Sequence, residues 1–274
     1  MTRKLMLPTF FTLGLASASF ALDEYMPIPY RVMQINVGFE KSSITGDYGQ
    51  DWVNNEDADP DDPVGLPVQG KFGLLDGLEM SGAINYLVQD RDGHTGLNRP
   101  VLALKYADNM TGYGGFLSIS LPVGFEDIMN AGNYATMTFG AMYGKNLPRV
   151  KLLANASYSY DTEDDNKNKI DNLRLFGKPE FPIPGAWMEV HKQYLGLSLG
   201  FTYDFFFNRM LAGVSSDRGA HHLSVAPGLT YVFNKIVTTE ITAPLSLAGQ
   251  NHAAFQTLRA QLYFTLDETL YNAL

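Results

Sequence analysis

The chain has 274 residues, 45% hydrophobic, 12% aromatic and 18% charged, with a formal net charge of −9 and no cysteine. Soluble domains carry about 25% charged residues, so this composition is poor in charge and rich in rings and glycine. The missing cysteine excludes disulfide scaffolds, cysteine-ligated metals, thiol nucleophiles and a lipidated N-terminal Cys, and the acidic balance argues against nucleic acid as a partner.

Residues 1–21 read as a secretory signal. Arg3 and Lys4 form the positive start, 5–15 is largely apolar, and small residues follow at Ala16, Ser17, Ala18, Ser19 and Ala21. Cleavage after Ala18 and after Ala21 fit equally well. The apolar stretch is short and broken by Pro8, whereas a spanning helix needs about 20 apolar residues. Removing the signal takes the formal charge from −9 to −11, and no long apolar run occurs in the remaining 22–274. Helical spans are thereby excluded, leaving a soluble exported protein or a β-barrel.

From there the chain alternates with period two. The pattern predicts strands at 30–40, 66–74, 78–88, 99–107, 113–122, 135–145, 150–160, 194–203, 207–214, 222–233, 236–247 and 257–266. In 113–122, Leu117, Ile119 and Leu121 oppose Ser118 and Ser120; in 257–266, Leu258, Leu262 and Phe264 oppose Arg259, Gln261 and Tyr263. Each such segment has one apolar face and one polar or small face. Short connections (75–77, 108–112, 146–149, 204–206, 234–235) alternate with longer polar ones (41–65, 89–98, 123–134, 161–191, 215–221, 248–252). That alternation is the habit of outer-membrane barrels, with short periplasmic turns and long extracellular loops, rather than of Greek-key sandwiches. The expected fold is all-β: one transmembrane antiparallel up-and-down barrel of about twelve strands in the bacterial outer membrane. Tyr30, Phe39, Phe72, Tyr86, Tyr106, Phe116, Phe139, Tyr143, Tyr158, Phe201, Tyr203, Tyr231 and Phe233 are read as outward girdle residues.

Three stretches carry a resemblance: KFGLLDGLEMSG (71–82), RPVLALKYADNMTGYGGFLSISLPVGFED (99–127) and FGAMYGKNLPRVKLLANASYSYD (139–161). Together they resemble the meta-pathway phenol-degradation transporter-like family of outer-membrane β-barrels. The resemblance covers roughly 71–161, less than half of the chain, and its motifs are mostly barrel grammar. It implies an exported channel or facilitator passing small aromatic or apolar solutes, and transfers no binding residues. One departure is the tail LDETLYNAL (266–274), where many such barrels end on an aromatic residue that closes the last strand.

The polar parity assigns Gln34, Asn36, Gln69, Lys71, Glu79, Asn85, Lys105, Asn155, Glu240, Arg259 and Gln261 to the lumen. Twelve strands make a barrel wider than the eight-stranded size that side chains just fill. Lys71, Lys105 and Arg259 against Glu79 and Glu240 are therefore expected to form a charged constriction selecting solutes, or a charge-paired plug. Lumen-facing small residues (Gly73, Ser81, Ala83, Gly140, Ser157, Gly196, Ser198, Gly200, Gly228) favour open space over a plug.

Other candidates are weaker. Asp57, Asp59, Asp61 and Asp62 offer oxygen ligands, but an EF-hand would need Gly where Asp62 stands and Glu where Val68 stands. Asp161, Glu163, Asp164 and Asp165 form a second acidic cluster. His222-Leu223-Ser224 matches half of an outer-membrane phospholipase signature but lacks its Asn-Gly, and faces the lumen. His221 and His222 are read as loop-end polar residues, and His94, His191 and His252 have no ligand spacing. No catalytic residue, metal site or cofactor is expected. The expected partners are outer-membrane lipid and lipopolysaccharide, the barrel assembly machinery and a small-molecule solute. The alternative is a closed structural or surface-interaction barrel acting through its acidic loops.

Overall fold

A computed structural model describes residues 27–48, 54–55, 63–89, 95–108, 110–122, 135–162, 169–185, 193–211, 214–216, 219–250 and 252–267. The signal, the Asp57–Asp62 and Glu163–Asp165 acids, His94, His191 and residues 268–274 lie outside the described residues.

Twelve antiparallel strands follow in chain order: β1 (Met33–Tyr48), β2 (Val64–Leu75), β3 (Leu78–Gln89), β4 (Val101–Ala107), β5 (Tyr113–Ser120) and β6 (Thr136–Leu147). The second half comprises β7 (Val150–Asp161), β8 (Lys169–Pro182), β9 (Tyr194–Leu211), β10 (Ala220–Val232), β11 (Val237–Thr242 and Leu245–Gln250) and β12 (His252–Leu266). Each strand pairs with its sequence neighbour, and β1 closes on β12 from Met33↔Leu266 to Tyr48↔His252. Short pairings at Asn54–Asn55, Gly96–Leu97 and Val214–Ser216 extend β1, β3 and β9. Closure removes the unpaired edge that an open sheet would expose to lipid.

The burial pattern is that of a soluble protein turned inside out. Val37, Leu66, Val68, Met80, Ile84, Leu102, Leu104, Leu117, Leu173, Leu175, Leu197, Leu229 and Ile241 are exposed on the outside. Asn36, Gln69, Lys71, Glu79, Asn85, Lys105, Ser157, Asp204 and Glu240 are buried inside. An apolar belt around a polar interior is what a lipid-spanning barrel requires, because the outward face meets hydrocarbon instead of water.

Two strand assignments need correction, and they compensate in the count. The expected turn at 204–206 does not exist: Asp204, Phe205 and Phe206 lie within β9, which runs unbroken through the two predicted strands. Phe206 points inward, so an apolar residue on the polar face interrupts the alternation there. The missing strand is β8, inside the predicted loop 161–191. Its Leu173, Leu175 and Phe181 face out and Arg174, Lys178 and Glu180 face in, a pattern obscured by Pro179 and Pro182. A third difference is local: β11 is split at Ala243–Pro244, where Pro244 has no amide hydrogen for the ladder.

Tight turns mark the short-connection end of the barrel. Gly77 and Gly112 adopt positive φ (75° and 81°), and a Cβ at either would collide with a neighbouring carbonyl oxygen, that of Ala107 or Gly144. Asp108 accepts from the Met110 amide (2.9 Å) and the Thr111 hydroxyl (2.8 Å), and this carboxyl is held below its usual value chiefly by the Met110 bond. Asn234 accepts from the amides of Ile236 and Val237, both at 2.8 Å.

Candidate functional site in the barrel lumen

The lumen is organised in levels along the barrel axis, set by where each strand begins and ends. Nearest the short turns lies a layer of alternating charge. Lys105 and Glu79 are register partners on β4 and β3, with Nζ and Oε1 3.6 Å apart. Lys71 on β2 shares the electrostatic field of Lys105, Glu79 and Glu240, and its ammonium stands 5.7 Å from the centre of the Tyr263 ring. Across the barrel, Lys178 on β8 donates to Glu240 on β11, which also accepts from the Tyr263 hydroxyl (3.2 Å). Glu180 accepts from Lys151 (3.0 Å), Tyr194 (2.6 Å) and Thr230 (3.1 Å). Lys71, Glu79, Lys105, Lys178, Glu180 and Glu240 are all buried. Three cations and three anions balance there, which is the condition under which buried charge is tolerated.

One level outward the lumen opens into a cavity of about 160 Å³. Two ion pairs border it: Arg174 with Asp204 (Nε to Oδ1 2.7 Å, Nη2 to Oδ2 3.3 Å) and Arg259 with Glu40 (3.0 Å). Phe116, Phe176, Phe206 and Phe255 contribute ring faces to the same wall. His222 and His252 stack at 4.5 Å between ring centres, with Phe206 on His252 at 5.1 Å and Phe255 against His222 at 4.8 Å. His222 Nε2 lies 2.8 Å from Ser246 Oγ, which accepts from the Phe255 amide.

Of the five residues expected at a constriction, the structure brings Lys71, Glu79, Lys105 and Glu240 into one layer. Arg259 is not among them; it pairs with Glu40 at the cavity level. Sequence reasoning misses Lys178, Glu180 and Arg174 because β8 reads as a loop, and Asp204 because it reads as a turn. The alternation of Leu173 and Leu175 with Arg174 is the signal that reveals the first three. Phe116 is corrected from girdle to lumen, where its own parity with Ser118 and Ser120 places it. His222 and His252 are lumen residues inside an aromatic stack, not loop-end polar groups, while His221 lies on the outer face against Phe205 and Tyr203.

The small lumen residues do not all leave space. A Cβ at Gly140 would come 2.6 Å from Phe116 Cζ, and one at Gly196 would come 2.7 Å from the Tyr194 hydroxyl. A Cβ at Gly228 would come 2.5 Å from Ser198 Oγ, and at Gly73 it would strike the Pro29 carbonyl. These glycines make room for neighbouring groups, so the expectation that they signal open volume is overturned at these four positions.

No protein-family model and no curated protein matches the sequence. Solved structures do. An outer membrane channel of Pseudomonas putida F1 matches with a TM-score of 0.68 at 14% identity, over 89% of this chain and 98% of that one. The translocator domain of the autotransporter NalP from Neisseria meningitidis matches at 0.53 with 10% identity, over 91% and 92% of the two chains. The NanC porin matches at 0.51 with 10% identity, over 85% and 100%. At these identities the likeness is one of fold, and the fold is that of outer-membrane barrels.

Proposed function

We propose that this chain is an outer-membrane channel for small solutes with an aromatic or apolar part, as the resemblance to phenol-degradation transporters implies. The observation that carries the reading is the wall of the cavity: four phenylalanines and a histidine pair stand beside two ion pairs. Such a wall receives a flat apolar ring on its aromatic faces and a polar substituent on its hydrogen-bonding groups. The outer-membrane barrel fold, shared with a bacterial outer membrane channel and a porin, is in keeping with it. Lipid and lipopolysaccharide outside, and the assembly machinery during insertion, are the surroundings this role requires. Lys71, Glu79, Lys105, Glu240 and Arg259 are the lumen charges assigned to solute selection.

The test is uptake into proteoliposomes holding the folded mature protein. Phenol-class solutes are expected to enter faster than into empty vesicles and faster than a sugar of similar size. Equal rates for all solutes, or no rate above empty vesicles, would overturn the reading.

The second reading, a closed barrel acting through its surface, is favoured by the buried six-charge layer. Vesicles impermeable to every solute, with the protein shown folded, would favour it.

A further inference from the structure

Before β1 the chain does something its neighbours in the sheet do not require. Arg31 has a positive φ of 61°, and among the described residues it is the one non-glycine that does. Left-handed backbone is costly for a side-chain-bearing residue, so a device is holding it there. Arg31 donates its amide to the Gly73 carbonyl (3.0 Å), Gly73 donates to Val32 (3.0 Å), and Val32 donates back to Pro29 (3.1 Å). The result is a reversal at Tyr30–Arg31 that turns 27–29 away from the sheet ladder.

The three residues before the reversal are Pro27, Ile28 and Pro29, and burial deepens along them from an exposed Pro29 to a buried Pro27. Gly73 belongs to the buried, lumen-facing parity of β2, and its missing Cβ is the place where the Pro29 carbonyl rests. Any side chain at position 73 would occupy that seat. Neither proline has an amide hydrogen, so Ile28 carries the one amide of the three. It donates to Glu79 Oε2 at 3.0 Å, inside the charge layer. The segment therefore supplies a partner to one oxygen of the same carboxylate whose other oxygen faces Lys105.

The layer it touches is not fully satisfied. Asn36 and Gln69 are register partners on β1 and β2, and all four of their side-chain amide atoms are buried without a hydrogen-bond partner. Glu79 Oε1 is likewise buried without a hydrogen bond. Sealing polar groups from water without partners is unfavourable, so a closed lumen at this level stands close in energy to a hydrated one. We infer that residues 27–29 form a displaceable strap that closes the short-turn mouth of the barrel, seated on Gly73 and latched by the Ile28 amide on Glu79. The inference rests on the channel reading, since a strap gates only where there is a path.

The natural chain has no cysteine, so one introduced thiol reports on the strap alone. Pro27→Cys is the reporter, and it keeps both the Gly73 seat and the Ile28 latch. Its labelling rate with a membrane-impermeant maleimide is read on folded protein. Gly73→Ala fills the seat; Ile28→Pro removes the latch donor and lies outside the barrel wall, so it remains informative if the first variant fails to fold. The expected result is a protected thiol in the Pro27→Cys protein and labelling at least tenfold faster in either double variant. In planar bilayers the same release is expected to lengthen the open time. A thiol that labels freely in the Pro27→Cys protein alone, or one that stays protected in both double variants, overturns the strap. Release without a change in a measurable conductance overturns the gate and leaves the channel standing. Release with silent bilayers throughout overturns the channel reading, and the gate falls with it.

Discussion

Arg174 on β8 holds Asp204 on β9 through two nitrogens, at 2.7 and 3.3 Å, at the edge of the lumen cavity. Asn172 donates to the same carboxylate at 3.1 Å, so the acid is surrounded by donors from the adjacent strand. Removing the cation leaves a buried carboxylate without its counter-charge, a loss of about 3–5 kcal/mol for fully buried pairs. The Arg174 side chain is 20% exposed and water can replace part of it, so Arg174→Met is expected to cost about 2 kcal/mol. Adding Asp204→Asn should recover a good part of that loss. Urea unfolding followed by gel mobility measures both, and additive losses in the double variant would contradict the pairing.

That pair also marks where the sequence becomes illegible. Segments such as 257–266 declare themselves because their polar and apolar residues alternate strictly. In β9 the inward Phe206 breaks that contrast, and Asp204 beside it mimics a turn. In β8 two prolines and a run of charges mimic a loop, although Leu173 and Leu175 keep strict alternation. The lumen parity is readable for Lys71, Glu79, Lys105 and Glu240, since parity is a local property. Which charges meet is not, because Lys178 with Glu240 is a contact across the barrel, fixed by closure and stagger.

Phe116 and Gly140 are register partners whose fit depends on the absence of a side chain. Gly140→Ala is expected to destabilise by about 1–3 kcal/mol through overpacking. Part of that loss should return when Phe116 is shortened to Leu. Thermal gel-shift midpoints of the two single variants and the double variant check this, and a neutral Gly140→Ala would contradict the close packing.

Asp108 gives a pH dependence outside the membrane span. Hydrogen bonds from Met110 and Thr111 favour its charged form, so its folded value lies below the ordinary 3.8. A depressed carboxylate contributes stability that is fully present above the unfolded value and lost as pH falls through the folded one. Asp108→Ala should therefore unfold more easily than the natural chain at neutral pH. The difference should close in strong acid. A difference that is constant down to acid pH would show that the carboxylate charge plays no part.

Arg259 is one of two arginines on the cavity wall, paired with Glu40. Arg259→Ala leaves that carboxylate facing the lumen and is expected to shift ion preference toward cations. Reversal potentials in a salt gradient measure the shift. Permeation identical to that of the natural chain would remove Arg259 from solute selection.

The central claim is that a path for solutes runs through this lumen. The measurement that tests it most directly is single-channel recording of the purified mature protein in planar bilayers, with folding verified by heat-modifiable gel mobility. The account predicts small ohmic steps, narrowed by the charge layer and interrupted by closures. Persistent silence from protein shown to be folded and inserted would contradict it and identify a closed barrel.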